Sequence, residues 1–371
     1  MATELSRRRL LAGLAALSCG GLATRPALAR AAACARADTG APPGLLTCWS
    51  DSPARPTEFH AGLLGTASPA LALPARGHDI AWHPSADGSA VVAARRPGDF
   101  LVRWHVATGT ELARFEADDE SRFEGHLAFR PDGRVLYATE TDLITGDGRI
   151  GVFDALSLER LDAWPCGGIG PHAVEWMADG RLAVAVGGIL TLPETGRVKR
   201  NLASMDPSLA FIDPVDGRLL SRHRPPDAFM SVRHIAQDAH GNIAVSMQNE
   251  GRAGRPLFAL LDGERLRYGE ADAGLIERCG DYAGDIVALD GGFAVSCTRA
   301  GVTAAWDAKG RAGTAFDTRR VCAMTTHGDR LLVTGDAGDL WQFDTAGARC
   351  ARHWQLPVAL DNHANPAPAR T

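Results

Sequence analysis

The sequence lacks most of the short motifs by which catalytic sites are recognised. It contains no GxSxG nucleophile elbow, no HExxH zinc motif, no P-loop and no GxGxxG turn between a strand and a helix. Beyond Leu45 it also lacks any sustained apolar spacing of period 3.6, which argues against amphipathic helices. A functional site therefore has to be sought from the fold and from the side chains that the fold brings together.

An excess of charge of one sign is also missing. The chain of 371 residues carries 39 lysines and arginines against 44 aspartates and glutamates, a formal net charge of -5, with no basic run beyond its first residues. Nucleic acids and anionic lipid surfaces are bound through concentrated positive charge. The composition gives no reason to expect either partner, and it leaves small or cationic ligands open.

The cysteines are few and not arranged for a familiar cofactor. None of the eight stands in a CxxC or CxxCH spacing, which argues against a zinc ribbon and against c-type haem attachment. Seven of them follow Cys19, at positions 34, 48, 166, 279, 297, 322 and 350. In an oxidising compartment this odd number leaves at least one thiol unpaired within the protein, and the sequence does not give the pairing.

The only strongly apolar run of the N terminus has the features of an export signal. In Ser6–Leu22, SRRRLLAGLAALSCGGL, consecutive arginines precede a short apolar stretch, and Ala27–Ala29 offers a small-residue cleavage site. Arg7 and Arg8 before Leu10 resemble a twin-arginine (Tat) signal, so we expect residues 1–29 to be removed and the mature chain to reach the periplasm without a transmembrane segment. A simple basic secretory signal, or lipid anchoring through Cys19, remains an alternative.

A repeat of short strands fills the rest of the chain. Each unit has an apolar strand, a turn such as Asp-Gly or His-Gly, a second apolar strand, a loop, and a third strand that closes on Asp and a turn glycine. The six openings are Gly77–Arg96, Gly125–Glu140, Pro171–Gly188, Arg233–Gln248, Gly284–Cys297 and Val321–Gly335. The matching closings are Val102–Gly109, Ile150–Ser157, Leu209–Gly217, Leu257–Gly263, Ala304–Gly310 and Leu340–Gly347.

Repeats of this length, with several strands each, predict an all-β propeller. Leu45–Ala75 holds further strands without a clear opening strand, and Cys350–Leu360 can supply one. We therefore expect seven blades closed by strands from both termini, with six or eight as alternatives. The predicted organisation is a signal peptide over 1–29, a linker over 30–44, a propeller over 45–360 and a flexible tail over 361–371.

Several ordered motifs resemble those of a known family. They are ARRPG (Ala94–Gly98), FEGHLAF (Phe123–Phe129), LYATE (Leu136–Glu140), GIGPH (Gly168–His172), LPETGR (Leu192–Arg197), NLASMDPSL (Asn201–Leu209), SVRHIA (Ser231–Ala236) and MQNEG (Met247–Gly251). Together they resemble the bacterial family catalogued as domain of unknown function 1513. The resemblance implies a Tat-exported periplasmic WD40/YVTN-like β-propeller, often encoded beside imelysin-type iron-uptake proteins, and it implies no established activity. Val186 and Cys297-Thr298 depart from the family pattern.

Histidines recur at one place in the repeat. His78, His126, His172 and His234 stand at the start of successive opening strands, where propeller symmetry would bring them together around the channel. Four neutral imidazoles in one place would suit a transition metal, and Asp285, at the matching place of a later repeat, would add an oxygen ligand. Such a histidine is also typical of a structural hydrogen bond that fixes the strand to its neighbour, and this alternative stays open.

Other polar residues lie at strand ends beside these histidines. They are Arg95, Arg96, Glu140, Arg233 and Gln248. Each could be a solvated charge at the rim of the propeller, but Arg233 directly precedes His234 and would present two kinds of donor to the axis. The set predicts a ligand site at one channel mouth, suited to a small anion or a metal chelate.

Two functional hypotheses follow. The first is an exported binding or scaffold protein without chemistry, an accessory of an iron-acquisition system that contacts imelysin-type or other periplasmic iron-uptake proteins. The second is a metal-dependent enzyme, a lactonase-like hydrolase or an oxidoreductase, with the histidines as ligands and Glu140 or Asp285 as base. We favour binding, because ligand-like residues are present without a recognisable nucleophile, and fold alone does not choose between the two.

Overall fold

Seven four-stranded antiparallel sheets form a closed ring, which confirms the predicted propeller. The computed structural model describes residues 38–368 except 193, 195, 197 and 345–348, so the predicted signal peptide lies outside the described residues. Each blade places one strand along the central channel and three strands outside it. The innermost strands of neighbouring blades contact one another all the way around the ring, so the sheet edges near the axis are covered.

Within each blade the strands follow one another from the channel outward. Blade 1 contains β28 (Ala359–Pro366), β1 (Leu45–Ser50), β2 (Phe59–Leu64) and β3 (Leu71–Leu73); blade 2 contains β4 (Gly77–Trp82), β5 (Ser89–Ala94), β6 (Phe100–His105) and β7 (Thr110–Glu116). Blade 3 contains β8 (Ser121–Phe129), β9 (Val135–Asp142), β10 (Gly148–Asp154) and β11 (Arg160–Pro165); blade 4 contains β12 (Pro171–Trp176), β13 (Leu182–Val186), β14 (Ser208–Ile212) and β15 (Leu219–His223). Blade 5 contains β16 (Met230–Gln237), β17 (Ile243–Asn249), β18 (Phe258–Asp262) and β19 (Arg265–Tyr268); blade 6 contains β20 (Asp285–Leu289), β21 (Gly292–Cys297), β22 (Val302–Asp307) and β23 (Ala312–Asp317). Blade 7 contains β24 (Val321–His327), β25 (Arg330–Gly335), β26 (Asp339–Asp344) and β27 (Cys350–Gln355).

The burial of each strand explains its sequence. The second strands, such as β5 (SAVVAA) and β13 (LAVAV), are buried at every position because both faces pack against neighbouring blades. The outermost strands are more polar, and β7 exposes its first three residues. Hairpin chemistry fixes the ends: at Asp132-Gly133 the carboxylate accepts the amide of Arg134 at 3.0 Å, while Gly133 adopts a φ of +69° that a side chain would resist.

The ring closes at a different place from the one predicted. Cys350–Gln355 forms the outermost strand of blade 7, and the innermost strand of blade 1 is Ala359–Pro366, paired with β1. The boundary that we placed at residue 360 is therefore too early, because residues 361–366 continue this strand. The segment contains Asp361 and His363, both of which enter the channel site.

Regular structure outside the blades is sparse. The connection between β19 and β20 carries one short helix, α1 (Ala273–Cys279), whose N-cap Asp272 accepts the amide of Leu275 at 2.8 Å. Among the described residues no helix is both long and apolar enough to cross a bilayer. Cys350 is disulfide-bonded, whereas Cys48, Cys166, Cys279, Cys297 and Cys322 are buried free thiols.

Candidate functional site in the central channel

Five imidazoles from five consecutive blades meet in the channel. His78, His126, His172 and His234 lie on the innermost strands of blades 2 to 5, as the repeat predicted, and His363 joins them from β28. The ring centroids of touching pairs are 4.3 to 5.1 Å apart, and His126 touches all four of the others. The predicted convergence is thus present in the structure.

Irregular pairing within the innermost strands places these side chains. At the histidine level the register shifts between the innermost strand and its partner in every blade except blade 6. A β-bulge inserts an extra residue and turns the local backbone, which re-aims a side chain that a regular strand would bury between blades. At His126 the backbone N–H donates to Thr139 Oγ1 at 3.4 Å, so a second-strand hydroxyl contacts the irregular turn.

Four of the imidazoles are held in their neutral form. Burial lowers the pKa of His78 to about 3, and burial followed by the neighbouring imidazoles lowers the pKa values of His126, His172 and His234 well below the ordinary value. Burying several like charges together is costly, so the rings give up their protons. Each neutral ring then carries one nitrogen lone pair that can bind a metal ion.

Several of these nitrogens have no partner. Nε2 of His126, Nδ1 of His172 and Nε2 of His363 are buried and make no hydrogen bond within the described part of the chain. Leaving a buried polar atom unpaired costs about 1–3 kcal/mol. Three such atoms lie at the convergence of five blades, where each could bind an added polar or metal partner.

The donor atoms form three overlapping groups with the spacing of a metal site. In each group the ligand atoms lie within 4.8 Å of one another. The groups are His78, His126 and His363; His126, His172 and His234; and His234, Asp285 and His363. Imidazole donors with a single carboxylate suit zinc, copper, nickel or iron.

His78 is oriented by a carboxylate from the C-terminal strand. Its Nδ1 lies 2.7 Å from Asp361 Oδ1, and Asp361 also contacts Arg76 and lies 3.3 Å from Arg95 Nη1. Burial alone would raise the pKa of Asp361, but Arg95, His78 and Arg76 together lower it, so the carboxylate stays charged. A carboxylate on Nδ1 fixes the tautomer that leaves Nε2 of His78 available as a ligand.

Carboxylates lie on the other side of the imidazoles. Asp79 Oδ2 is 3.8 Å from His126 Nδ1, and Asp285 Oδ1 is 3.8 Å from His234 Nδ1. Each also bridges two blades, because Asp79 accepts the amide of Leu127 at 3.1 Å and Asp285 accepts that of Met324 at 2.8 Å. Burial raises the pKa of both carboxyls, that of Asp285 to about 6.

Glu175 extends this acidic region toward the far end of the channel. Glu175 keeps contact with solvent, but the protein around it, followed by the charges of Asp79 and Asp285, raises its pKa to about 8. It lines a cavity of about 500 Å³ with Ile235, Gln237 and Val287. Among the described residues that line this cavity there is no lysine or arginine.

The opposite mouth is basic. A cavity of about 180 Å³ opens above the imidazoles. Its charged lining residues are Arg95, Arg96, Glu124, Lys199, Arg233 and Arg299. His78, His172 and His234 also line it, so the cavity connects the outside of the propeller with the imidazole cluster.

Arg233 and Gln248 lie together at this mouth. Arg233 is 5% exposed, and its Nε donates to Gln248 Oε1 at 3.1 Å, while Gln248 Nε2 donates to the carbonyl of Ala283 at 3.1 Å. Burial followed by the proximity of Arg96 lowers the pKa of Arg233 to about 10, so the guanidinium keeps its charge at neutral pH. Most of the predicted mouth residues are therefore found at one place.

Glu140 is the exception, and its predicted place in the site is wrong. It is buried within blade 3, where Oε1 accepts from Arg160 Nη2 at 2.7 Å and Oε2 from Arg149 Nε at 3.3 Å. Its neighbour Thr139 contacts the backbone of His126. Successive side chains of a strand point to opposite faces, so Glu140 is turned away and is no candidate base for channel chemistry.

The sequence reasoning missed His363, Asp79 and Asp361. Asp79 directly follows His78, and Asp361 stands two residues before His363. A single aspartate in a strand gives no functional signal. His363 stands in Ala359–Pro366, most of which we assigned to the tail. The missing opening strand of blade 1 was the available signal, since a ring of complete blades requires one more strand than Leu45–Ala75 provides.

Comparison with known proteins gives a family and a fold. The family model described as "Protein of unknown function (DUF1513)" matches residues 71–366. No curated protein matches the chain. Hydrazine synthase from Kuenenia stuttgartiensis is similar in structure, with a TM-score of 0.53 at 13% sequence identity over 72% of this chain and 76% of that chain. At this identity the likeness shows the fold alone.

Proposed function

Because the chain belongs to the DUF1513 family, whose description assigns no activity, we propose its function from the channel: it binds a transition-metal ion through the imidazole cluster. The observation that carries the proposal is the set of unpartnered, buried nitrogens on His126, His172 and His363. A metal ion would supply the missing partner of these nitrogens, and burial lowers the pKa values of His126 and His172, which keeps protons off both rings at neutral pH.

The electrostatics around the cluster support a cation at this position. Asp79, Asp285 and Glu175 lie below the imidazoles and have no arginine or lysine partner within the described ranges. A bound cation would offset the cost of burying these carboxyls near one another. Asp361, on Nδ1 of His78, would orient that ring toward the ion.

Metal titration of the purified protein tests this function. Protein freed of metal by chelation and dialysis is titrated with Zn²⁺, Cu²⁺, Ni²⁺ and, without oxygen, Fe²⁺. We expect saturable binding of at least one of these ions, and much weaker binding by His126→Ala, which removes the ring shared by two donor groups. His327→Ala is the matched control, because His327 is an exposed histidine on the innermost strand of blade 7. No saturable binding, or equal binding by His126→Ala, would show the function to be wrong.

We also propose that the protein works in the periplasm as an accessory of iron acquisition, with imelysin-type or related proteins as partners. Arg7 and Arg8 before an apolar run support twin-arginine export, and the family resemblance supports the iron context. Replacing both arginines with lysine is expected to leave the precursor in the cytoplasm. Normal export of that variant would contradict the route.

One observation favours a second candidate, a metal-dependent oxidoreductase. The group His234, Asp285 and His363 has the two-histidine, one-carboxylate composition of many iron oxygenase sites. Both oxygens of Asp285, however, already accept backbone amides, from Ile286 and Met324. We prefer binding for this reason. Oxygen consumption by the Fe²⁺-loaded protein that is absent from Asp285→Ala would favour the enzyme.

A further inference from the structure

One cation at the channel mouth differs from its neighbours. Four of the cations that line the mouth cavity have a carboxylate beside them: Arg95 with Asp361, Arg96 with Glu124, Lys199 with Glu250, and Arg299 with Asp281. Arg233 has none within the described residues, and its Nε donates instead to the neutral amide of Gln248. It is also the most buried of the five.

A buried guanidinium without an anion is costly to keep. Removing a charge from water is unfavourable unless a counter-charge or several hydrogen bonds compensate for it. Arg233 retains planar, paired N–H donors of the kind that bind oxyanions in a bidentate manner. Its position in the lining of the cavity, rather than between blades, leaves room for an external partner.

The surroundings restrict the size and charge of that partner. The cavity of about 180 Å³ is smaller than the roughly 300–1,000 Å³ of sites for drug-sized ligands. Arg95, Arg96, Lys199 and Arg299 around it repel cations and attract anions. The floor of the cavity includes His172 and His234, so an anion at Arg233 would lie beside the proposed metal ligands.

We propose that Arg233 binds a small oxyanion, a carboxylate or a phosphate, above the imidazole cluster, and that this anion is the co-ligand of the bound metal. The co-ligand role rests on the proposed function, whereas the anion site does not. Gln248 acts as a positioning residue, because its side chain spans from Arg233 Nε to the carbonyl of Ala283 and holds the guanidinium at the mouth.

Anion binding is tested on metal-free protein. Citrate and phosphate are the probes, each titrated at constant ionic strength with sodium chloride as the balance, and binding is followed by calorimetry and by the thermal unfolding midpoint. We expect Arg233→Met to weaken binding at least tenfold, as loss of a charge-assisted bidentate contact implies. Arg233→Lys should be intermediate, because lysine keeps the charge without the planar fork. The two probes distinguish a carboxylate from a phosphate as the bound class.

The control variant is Arg103→Met. Arg103 is a largely buried arginine of blade 2 that already pairs with Asp87 at 2.7 Å, away from the cavity. It should bind the probes as the wild type does. Without anion, Arg233→Met should unfold at the same temperature as the wild type or at a higher one, because the change removes a buried unpaired charge. The probes should raise the unfolding midpoint of the wild type more than that of Arg233→Met.

Two results would overturn the inference: neither probe binds the wild type, or Arg233→Met binds as tightly as Arg103→Met. The metal-binding proposal fails separately. His126→Ala should still bind the anion when metal is absent. A wild-type protein that binds citrate but no metal would refute the proposed metal-binding function and leave the anion site standing.

Discussion

Blades 1 to 5 and blades 6 and 7 have the same fold but different residues at the channel. The five consecutive blades each place a histidine from the innermost strand in the channel. In the pairing with the second strand, β20 has Asp285 and β24 has Ala323 at the position that His126 and His234 occupy in blades 3 and 5. His78 and His172 stand one residue earlier in their strands. The two remaining blades nevertheless have four strands and close the ring. A histidine at this position is therefore not required to build a blade.

His126 and Ala323 make the comparison sharper. Both lie where the innermost strand shifts register, and both exchange two hydrogen bonds with a threonine of the second strand. Thr139 Oγ1 accepts the amide of His126 at 3.4 Å and donates to its carbonyl, and Thr334 Oγ1 does the same for Ala323 at 3.0 Å. The threonine and the backbone hold the turn in both blades, so the imidazole is left for another role.

The largest expected effect comes from making blade 3 resemble blade 7. His126→Ala should weaken metal binding on the order of 100-fold, which is the upper end of the affinity losses seen when residues around a metal ion are changed. The free energy of unfolding of the metal-free protein should change by less than about 1 kcal/mol, because the threonine contacts remain. Urea unfolding and metal titration measure the two quantities. A stability loss of several kcal/mol with unchanged binding would mean that His126 is a structural pin.

A smaller effect should separate the two carboxylates that bridge blades. Asp285→Asn and Asp79→Asn each weaken an acceptor of two backbone amides, so each should lose about 1–3 kcal/mol of stability. Only Asp285 belongs to a donor group with two imidazoles. Asp285→Asn should therefore lower metal affinity about tenfold, and Asp79→Asn clearly less. Equal losses of affinity would remove Asp285 from the site.

The smallest effect should come from the threonines. Thr139→Val and Thr334→Val keep the side-chain shape and remove the hydroxyl, so each should cost about 1 kcal/mol of stability. Only the change beside His126 should also weaken metal binding, by a few-fold, because it loosens the turn that aims a ligand. Chemical denaturation and titration of both variants check this. A matching loss of affinity in Thr334→Val would erase the distinction between the two blades.

Much of the architecture was predictable because it repeats. Apolar second strands such as β5 and hairpin turns such as Asp132-Gly133 recur along the ring, and regular spacing carries His78, His126, His172 and His234 to one place. The closure was less accessible. β28 pairs with β1 across nearly the whole length of the chain, and nothing local in Ala359–Pro366 distinguishes a closing strand from a tail.

The side-chain pairings of the site were not predictable either. Glu140 is next to a residue that contacts His126, but the alternation of the strand turns it toward Arg149 and Arg160. Arg233 stands out because no carboxylate of the described residues lies within ion-pair distance of it, a property that depends on residues from several blades. Such facts come from the packing of distant segments, which the spacing of residues along the chain does not determine.

Elemental analysis of the purified protein tests the central claim most directly. The wild type, the control His327→Ala and the double variant His126→Ala, His172→Ala are purified from the same host under the same conditions, and the transition-metal content per chain is measured. We predict that the wild type and the control carry a transition metal in comparable amount and that the double variant carries little or none. A wild type without metal, or a double variant with as much metal as the wild type, would contradict a metal centre built from these imidazoles.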